Sequence, residues 1–424
     1  MPKMHAVHKL LADHARPVRS EVTVGEILEV EPDVVAVGIG RNAQEVARLE
    51  ADLAELGVKE LAIKDKIVVY FDHAAPAPFP EAAAGQKAWH DFFRKRGIPV
   101  ADPGSGIAHL TLPEQGYVVP GTLVGCQDSH TPTMGAVGSF AASIAGGYLP
   151  LLAIGRTWFE VPGVVRYEIH GELGPGVFPR DVALHINHIV GQRGALWKTI
   201  EYAGSFIDQL SMDGRFTLCN TATEMGAMSA YIQPDRITLD WVQPRARNGF
   251  KILETDPGFE YEEVRVFDVS NIPPQVAVPH APDNVRPIEE VEGRHIDQAF
   301  LGSCANGRLE DIAIAAQLLK GRKVHPDVKF IVTPGSREVL KAATRLGYIE
   351  ILHEANAVVT HANCGSCATL HGGILAPGEV CIACNTRNFY GRMGPGGEIY
   401  LASPATVAAS AIEGRITDPR KYLQ

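Results

Sequence analysis

The chain has 424 residues, of which 46% are hydrophobic and 21% charged, and a formal net charge of −10. That length exceeds one ordinary core and suits two or three domains, and the acidic balance excludes nucleic-acid binding through a generally basic surface. Apolar runs such as 118–124 and 148–154 are too short to span a membrane, and residues 1–20 lack the apolar core of a signal peptide. Seven cysteines in a chain this long fit a reducing cytoplasm better than a disulfide framework.

In chain order, apolar residues at helical spacing predict helices over 7–14 and 44–56, with a short buried strand over 34–39 between them. A second strand over 67–71 runs directly into Asp72-His73. A polar pair at the mouth of an apolar strand is where α/β folds place chemistry, although a plain strand-ending turn fits the same residues. A helix over 87–96 follows, then Gly106-Ile107-Ala108-His109 and an extended segment over 117–120. The next stretch, Gly125-Cys126-Gln127-Asp128-Ser129-His130-Thr131, sets Asp128 and His130 two apart, on one strand face, where the carboxylate can orient or charge the imidazole. It is not a hydrolase triad, which is assembled from separated segments. The small residues over 135–147 suit a closely packed helix whose N-terminal amides face an anion.

A second unit begins near residue 161, with helical character over 181–189 and 197–202 and a strand over 215–220. Glu224 then lies in a small, helix-like run, either buried and paired or at a surface turn. The proline-rich stretch 272–285 reads as an extended linker. A third unit alternates strand 298–301, helix 310–319, strand 328–332, helix 337–346 and strand 357–360. Gly302-Ser303-Cys304 follows its first strand and Asn363-Cys364-Gly365-Ser366-Cys367 its last, so these thiols can converge on one edge of a parallel sheet. The expected organisation is α/β throughout, with units over 1–160, 161–285 and 286–424.

Two metal-site readings compete. Cys364, Cys367, Cys381 and Cys384 form two C-x2-C pairs, the spacing of a zinc ribbon and hence of a zinc-binding scaffold protein. Cys304, Cys364 and Cys367 instead share small, Gly-flanked turns and would leave one coordination position open, whereas Cys381 and Cys384 sit in an apolar run that reads as a buried strand. Turn context favours the second set. Downstream, Arg387 and Arg392 flank a Phe-Tyr-Gly turn and can aim two guanidinium forks at one carboxylate, although a solvated basic turn has the same composition.

Taken together, Asp72-His73, 106–109, Asp128-Ser129-His130-Thr131, 220–227, 302–308, 363–367 and 387–392 resemble the aconitase superfamily in the family's order, over nearly the whole chain. Within it the chain is most similar to the large subunits of two-chain enzymes of the 3-isopropylmalate dehydratase and homoaconitase type. The resemblance implies three α/β domains around a central cleft, and a 4Fe-4S cluster held by Cys304, Cys364 and Cys367 with one iron not ligated by cysteine. It implies catalytic roles for Asp72-His73, for His109 with Glu224, and for Asp128 with His130. Ser129, Arg387 and Arg392 match positions that contact a small anionic carboxylate substrate. 3-Isopropylmalate leads; homocitrate or homoaconitate, citramalate, maleate and dimethylmalate are alternatives. The sequence ends without the swivelling fourth domain of single-chain aconitases, so a separate small subunit carrying that domain and its base is expected. Three residues depart from the family pattern: Ala305 replaces a threonine, Asn363 a glycine and Thr386 an asparagine.

Overall fold

The structure is a computed structural model and describes residues 2–38, 42–101, 103–144 and 147–423. Three sheets carry the site. The first is parallel, in the order Ile67–Tyr70, Val34–Gly38, Leu123–Cys126, Phe140–Ser143. Its strands are apolar without alternation because both faces are covered. The last residue of the strand expected over 34–39 lies outside the described residues. The helices Ala6–His14 and Ala43–Glu55 form as expected, and Pro80–Arg94 begins seven residues before its predicted start. Pro80 explains that start, since a proline fits the first helical position, where no N–H partner is needed. An antiparallel ribbon of Ile27–Val30 with Thr157–Glu160 lies beside this unit.

The second sheet is also parallel, in the order Glu263–Asp268, Val164–His170, Thr199–Ala203, Ser229–Tyr231. The third has seven strands, in the order Val285–Pro287, Gln275–Ala277, Glu398–Leu401, Val380–Ala383, Gln298–Gly302, Lys329–Thr333, Val358–Val359. The last five of these run parallel and Gln275–Ala277 joins their edge antiparallel. The proline-rich stretch is therefore part of a sheet edge, where proline's missing donor is tolerated, and not a free linker.

Four other expectations fail. Residues 215–220 lie in the helix Met212–Thr221, and 197–202 run into the strand Thr199–Ala203. Residues 117–120 turn instead of extending, with Val119 bonded through both its N–H and its carbonyl to Thr122 Oγ1. The helix expected over 135–147 is replaced by the 3-10 turns Thr131–Val137 and the strand Phe140–Ser143. Gly138, at φ +75°, makes the bend between them; a Cβ there would stand 2.2 Å from Pro234. Positions 145 and 146 of that stretch lie outside the described residues. One apolar core runs from Val34 and Ala36 of the first sheet through Met134 and Val137 to Val165 and Ile200 of the second. The two sheets are thereby held at fixed positions around the loops at their strand ends.

Candidate active site and metal centre

The strand Ile67–Tyr70 delivers Asp72-His73, Leu123–Cys126 delivers Asp128 to His130, and Gln298–Gly302 delivers Cys304. At the last, Gly302 is irreplaceable: a Cβ would stand 2.5 Å from the Thr333 carbonyl. Ser303 follows at φ +69°, and the chain reverses into the short helix Ser303–Asn306. Cys364 and Cys367 bound a 3-10 turn opened by Gly365 at φ +56°, where a Cβ would stand 2.7 Å from Phe300 and from Thr333.

Cys304, Cys364 and Cys367 are all buried and none is in a disulfide. Cys304 and Cys364 share one apolar pocket with Ile107 and Leu110. Burial, then the neighbouring Cys367, Asp128 and Cys364, raise the Cys304 thiol well above its ordinary range. Three such groups cannot ionise side by side without a cationic group among them. Two cationic side chains point at the same sulfurs: His73 Nε2 lies 3.6 Å from Cys364 Sγ, and Arg392 Nη2 donates to Cys367 Sγ at 3.4 Å. Around them Asn220 Oδ1, Arg392 Nε and both His109 nitrogens are buried without a hydrogen bond among the described residues. These thiols and orphaned polar atoms fit a polynuclear iron–sulfur group, which takes one thiolate per ligated iron. Among the described residues no three His, Cys, Asp or Glu side chains stand close enough to hold a single metal ion.

The competing thiols are placed otherwise. Cys381 packs with Leu184, Ala277 and Leu401, whereas Cys384 joins the core of Ile312, Val332 and Ala408. Cys384 Sγ also accepts from the Gly302 amide at 3.1 Å. The four cysteines of the zinc-ribbon spacing thus face separate surroundings, and the ribbon reading is corrected: Cys381 and Cys384 are core thiols.

The acid–base groups form a chain of contacts. Asp72 Oδ1 accepts from His73 Nδ1 at 2.8 Å and its Oδ2 from the Ala108 amide at 3.0 Å. His73 is raised well above its usual value, first by Cys364 and then by Asp72, against the effect of burial. Asp128 lies 3.8 Å from His73 Nε2 and 3.4 Å from His109 Nδ1, and accepts the His130 amide at 2.7 Å. Burial pushes Asp128 upward, but His109, His73, His130 and that amide outweigh it and hold its carboxyl below the usual range. Burial lowers His109 to about 4, so this ring is neutral at neutral pH.

The pairings differ from those the resemblance implied. His130 Nε2, not His109, meets Glu224 Oε1, at 2.9 Å, and Asp128 engages the His130 backbone with its ring 3.9 Å away. Glu224 also accepts from Arg387 Nε at 2.8 Å, and Arg387 Nη1 donates to Ser129 Oγ at 3.2 Å. Glu224 is thus buried and paired. Its position depends on the 3-10 turn Ala222–Met225 that continues the helix Met212–Thr221.

Sequence reasoning missed two residues that support this site. His371 Nε2 accepts from the Ala74 amide at 3.2 Å, bracing the loop that follows His73. Arg180 is buried beside the loop leading to Arg387, and its only sequence signal was a charged pair opening a helix. The departures from the family pattern also have definite surroundings. Ala305 is fully buried with its carbonyl accepting from Thr217 Oγ1, Asn363 caps the Gly365 amide, and the buried Thr386 hydroxyl has no hydrogen bond among the described residues.

This fold and site define an α/β protein that gathers three thiols, paired imidazoles and carboxylates, and two arginines at converging strand ends. The model of the aconitase family (aconitate hydratase) matches residues 60–296 and 289–414. The chain belongs to that family. It is 46% identical over 412 residues to "3-isopropylmalate dehydratase large subunit 1" of Methanopyrus kandleri, covering 96% of this chain and 98% of that one. It is 43% identical over 424 residues to the "Probable methanogen homoaconitase large subunit" of Methanothermobacter thermautotrophicus, covering 99% of each. Among solved structures, aconitase X of Thermococcus kodakaraensis in its holo-form aligns with a TM-score of 0.50 at 13% identity, covering 84% of this chain and 83% of that one. That likeness concerns the fold alone.

Proposed function

We propose that the chain is the large subunit of an iron–sulfur hydro-lyase that dehydrates and rehydrates a hydroxy di- or tricarboxylate, 3-isopropylmalate first among candidates. The observation that carries this reading is the meeting of Cys304, Cys364 and Cys367 with His73, Asp128, Glu224 and Arg387 at one set of strand ends. When bound, a 4Fe-4S cluster on the three thiolates would supply a Lewis-acidic iron free of cysteine.

The chain's own groups divide the remaining work. His73, with Nδ1 bonded to Asp72, holds a proton on Nε2 and can deliver it to a departing hydroxyl. Asp128, kept ionised, places a negative charge beside both His73 and His109. In the reverse direction the same His73 nitrogen takes that proton back from water, while neutral His109 remains a polar neighbour of Asp128. Arg387 and Arg392 offer forked donors to substrate carboxylates, and Ser129 Oγ stands within Arg387's reach.

A separate small subunit completing the site is part of the same reading. In support, Trp197 and Tyr390 are 67% and 69% exposed on the loops that adjoin Glu224 and Arg387. Trp197 is tied to the Glu224 turn by its amide bond to the Gly226 carbonyl. Aromatic side chains are enriched at surfaces that receive a partner. The thiols would also need a reducing compartment, consistent with the cytoplasm.

Homoaconitase is the second reading, favoured by the relative at 43% identity. The test is anaerobic co-purification with the small subunit, then assay against 3-isopropylmalate, homocitrate, citramalate, maleate and dimethylmalate. Turnover of 3-isopropylmalate above the others supports the leading reading, homocitrate above the others the second. No turnover of any hydroxy acid by the cluster-loaded pair would overturn both.

A further inference from the structure

Arg180 opens the helix Pro179–Val190 and is only 1% exposed. Both features are unfavourable for a cation. The first turn of a helix carries the positive end of its dipole, and a guanidinium removed from water needs a compensating charge. The adjacent Asp181 is not its ion-pair partner: its carboxylate oxygens accept the Phe178 and Gln275 amides at 2.8 Å each. Among the described residues no carboxylate forms an ion pair with Arg180, and its Nε has no hydrogen-bond partner.

The two bonds it does make join separate parts of the site. Nη1 donates to Thr221 Oγ1 at 3.1 Å, and Nη2 to the Asn385 carbonyl at 2.7 Å. Thr221 ends the helix that leads, three residues on, to Glu224. Asn385 lies two residues before Arg387. Glu224 and Arg387 are themselves paired at 2.8 Å, so Arg180 closes a loop of contacts from one segment to the other through their backbones. Burial lowers the guanidinium below its ordinary value, and Cys384, Glu224, Cys304 and Asp181 partly offset that lowering.

We propose that Arg180 is a positioning residue: it clamps the Asn385–Arg387 segment to the Glu224 turn and thereby sets the aim of Arg387 at the substrate carboxylate. It acts on substrate capture through Arg387, touching neither substrate nor reacting atoms. The part that concerns catalysis rests on the proposed function; the clamp itself does not.

The test uses the cluster-loaded large subunit with its small partner, as wild type, Arg180→Met and Thr221→Val. Amide exchange over 384–392 should quicken in both variants, more in Arg180→Met, with cluster iron content unchanged. With the hydroxy acid that the wild type turns over, KM should rise about 10- to 100-fold in Arg180→Met, the usual range for hydrogen bonds to a charged group, while kcat changes less than about threefold. In an Arg387→Lys background the same substitution should add less than about threefold, because coupled residues are not additive. Full additivity in that cycle, or unchanged exchange over 384–392 in both variants, would overturn the proposal. Should Arg180→Met not fold, Thr221→Val alone decides, since it removes one anchor and keeps the charge. A wild type inactive on every hydroxy acid would defeat the proposed function, while the exchange measurement would still decide the clamp.

Discussion

Arg387 approaches Glu224 through Oε1, the same carboxylate oxygen that His130 Nε2 meets, at 2.8 and 2.9 Å respectively. One buried oxygen therefore serves a guanidinium and an imidazole carried by different sheets. Burial raises Glu224, and its bond to His130 and the charge of Arg387 outweigh that to lower it. Glu224→Gln keeps the shape but replaces this anion by a neutral amide. Expected is a loss in kcat of about 100- to 10,000-fold, the range for a positioned acid or base, with a smaller change in KM. Steady-state kinetics of the assembled enzyme would show it.

His109 offers a cleaner titration. Its folded value is about 4 against an ordinary 6.5, because of burial. Between those values the unfolded chain binds more protons, so the contribution is complete above pH 6.5 and is lost as pH falls toward 4. The slope is about 1.4 kcal/mol per pH unit, or about 2 kcal/mol from pH 6.5 to 5. Among the described residues neither ring nitrogen makes a hydrogen bond, so His109→Asn removes the titration without breaking one. Urea unfolding of the cluster-free chain should lose about 2 kcal/mol less over that interval in the variant than in the wild type. Identical pH dependence would refute the neutral, buried imidazole.

Gly365→Ala tests the turn that presents Cys364 and Cys367. The added methyl would enter the left-handed region at φ +56° and meet Phe300 and Thr333 at 2.7 Å. A cost of about 1–3 kcal/mol follows from such strain. Because the turn must move to relieve it, bound iron should fall along with the melting temperature. A variant with unchanged iron content would show that the turn tolerates the displacement.

Much of this was legible in the sequence because strand ends in α/β proteins are marked by polar residues after apolar runs. Asp72-His73 and Cys304 were found that way; Asp128 and His130 were instead expected on one strand face, whereas they lie in the turn after the strand Leu123–Cys126. The helix Met212–Thr221 was not: nine of its ten residues are buried, so it has no polar face and no helical period to detect. Thr217 and Phe216 then read as strand formers. The error at 197–202 came from Trp197, which sits at φ +60° in the turn before the strand and belongs to neither pattern. Pairings across sheets, such as His130 with Glu224, depend on how two cores dock, and no local spacing encodes that. Arg180 was hidden for the same reason, its partners lying 41 and 205 residues away.

Cys304, Cys364 and Cys367, and not Cys381 and Cys384, are proposed to hold the iron–sulfur group. The most direct measurement is iron and sulfide content per chain, with the visible spectrum, after anaerobic purification of wild type, Cys304→Ser and Cys384→Ser. Expected is iron–sulfur absorption in the wild type, kept in Cys384→Ser and lost in Cys304→Ser. Metal retained in Cys304→Ser but lost in Cys384→Ser would contradict it.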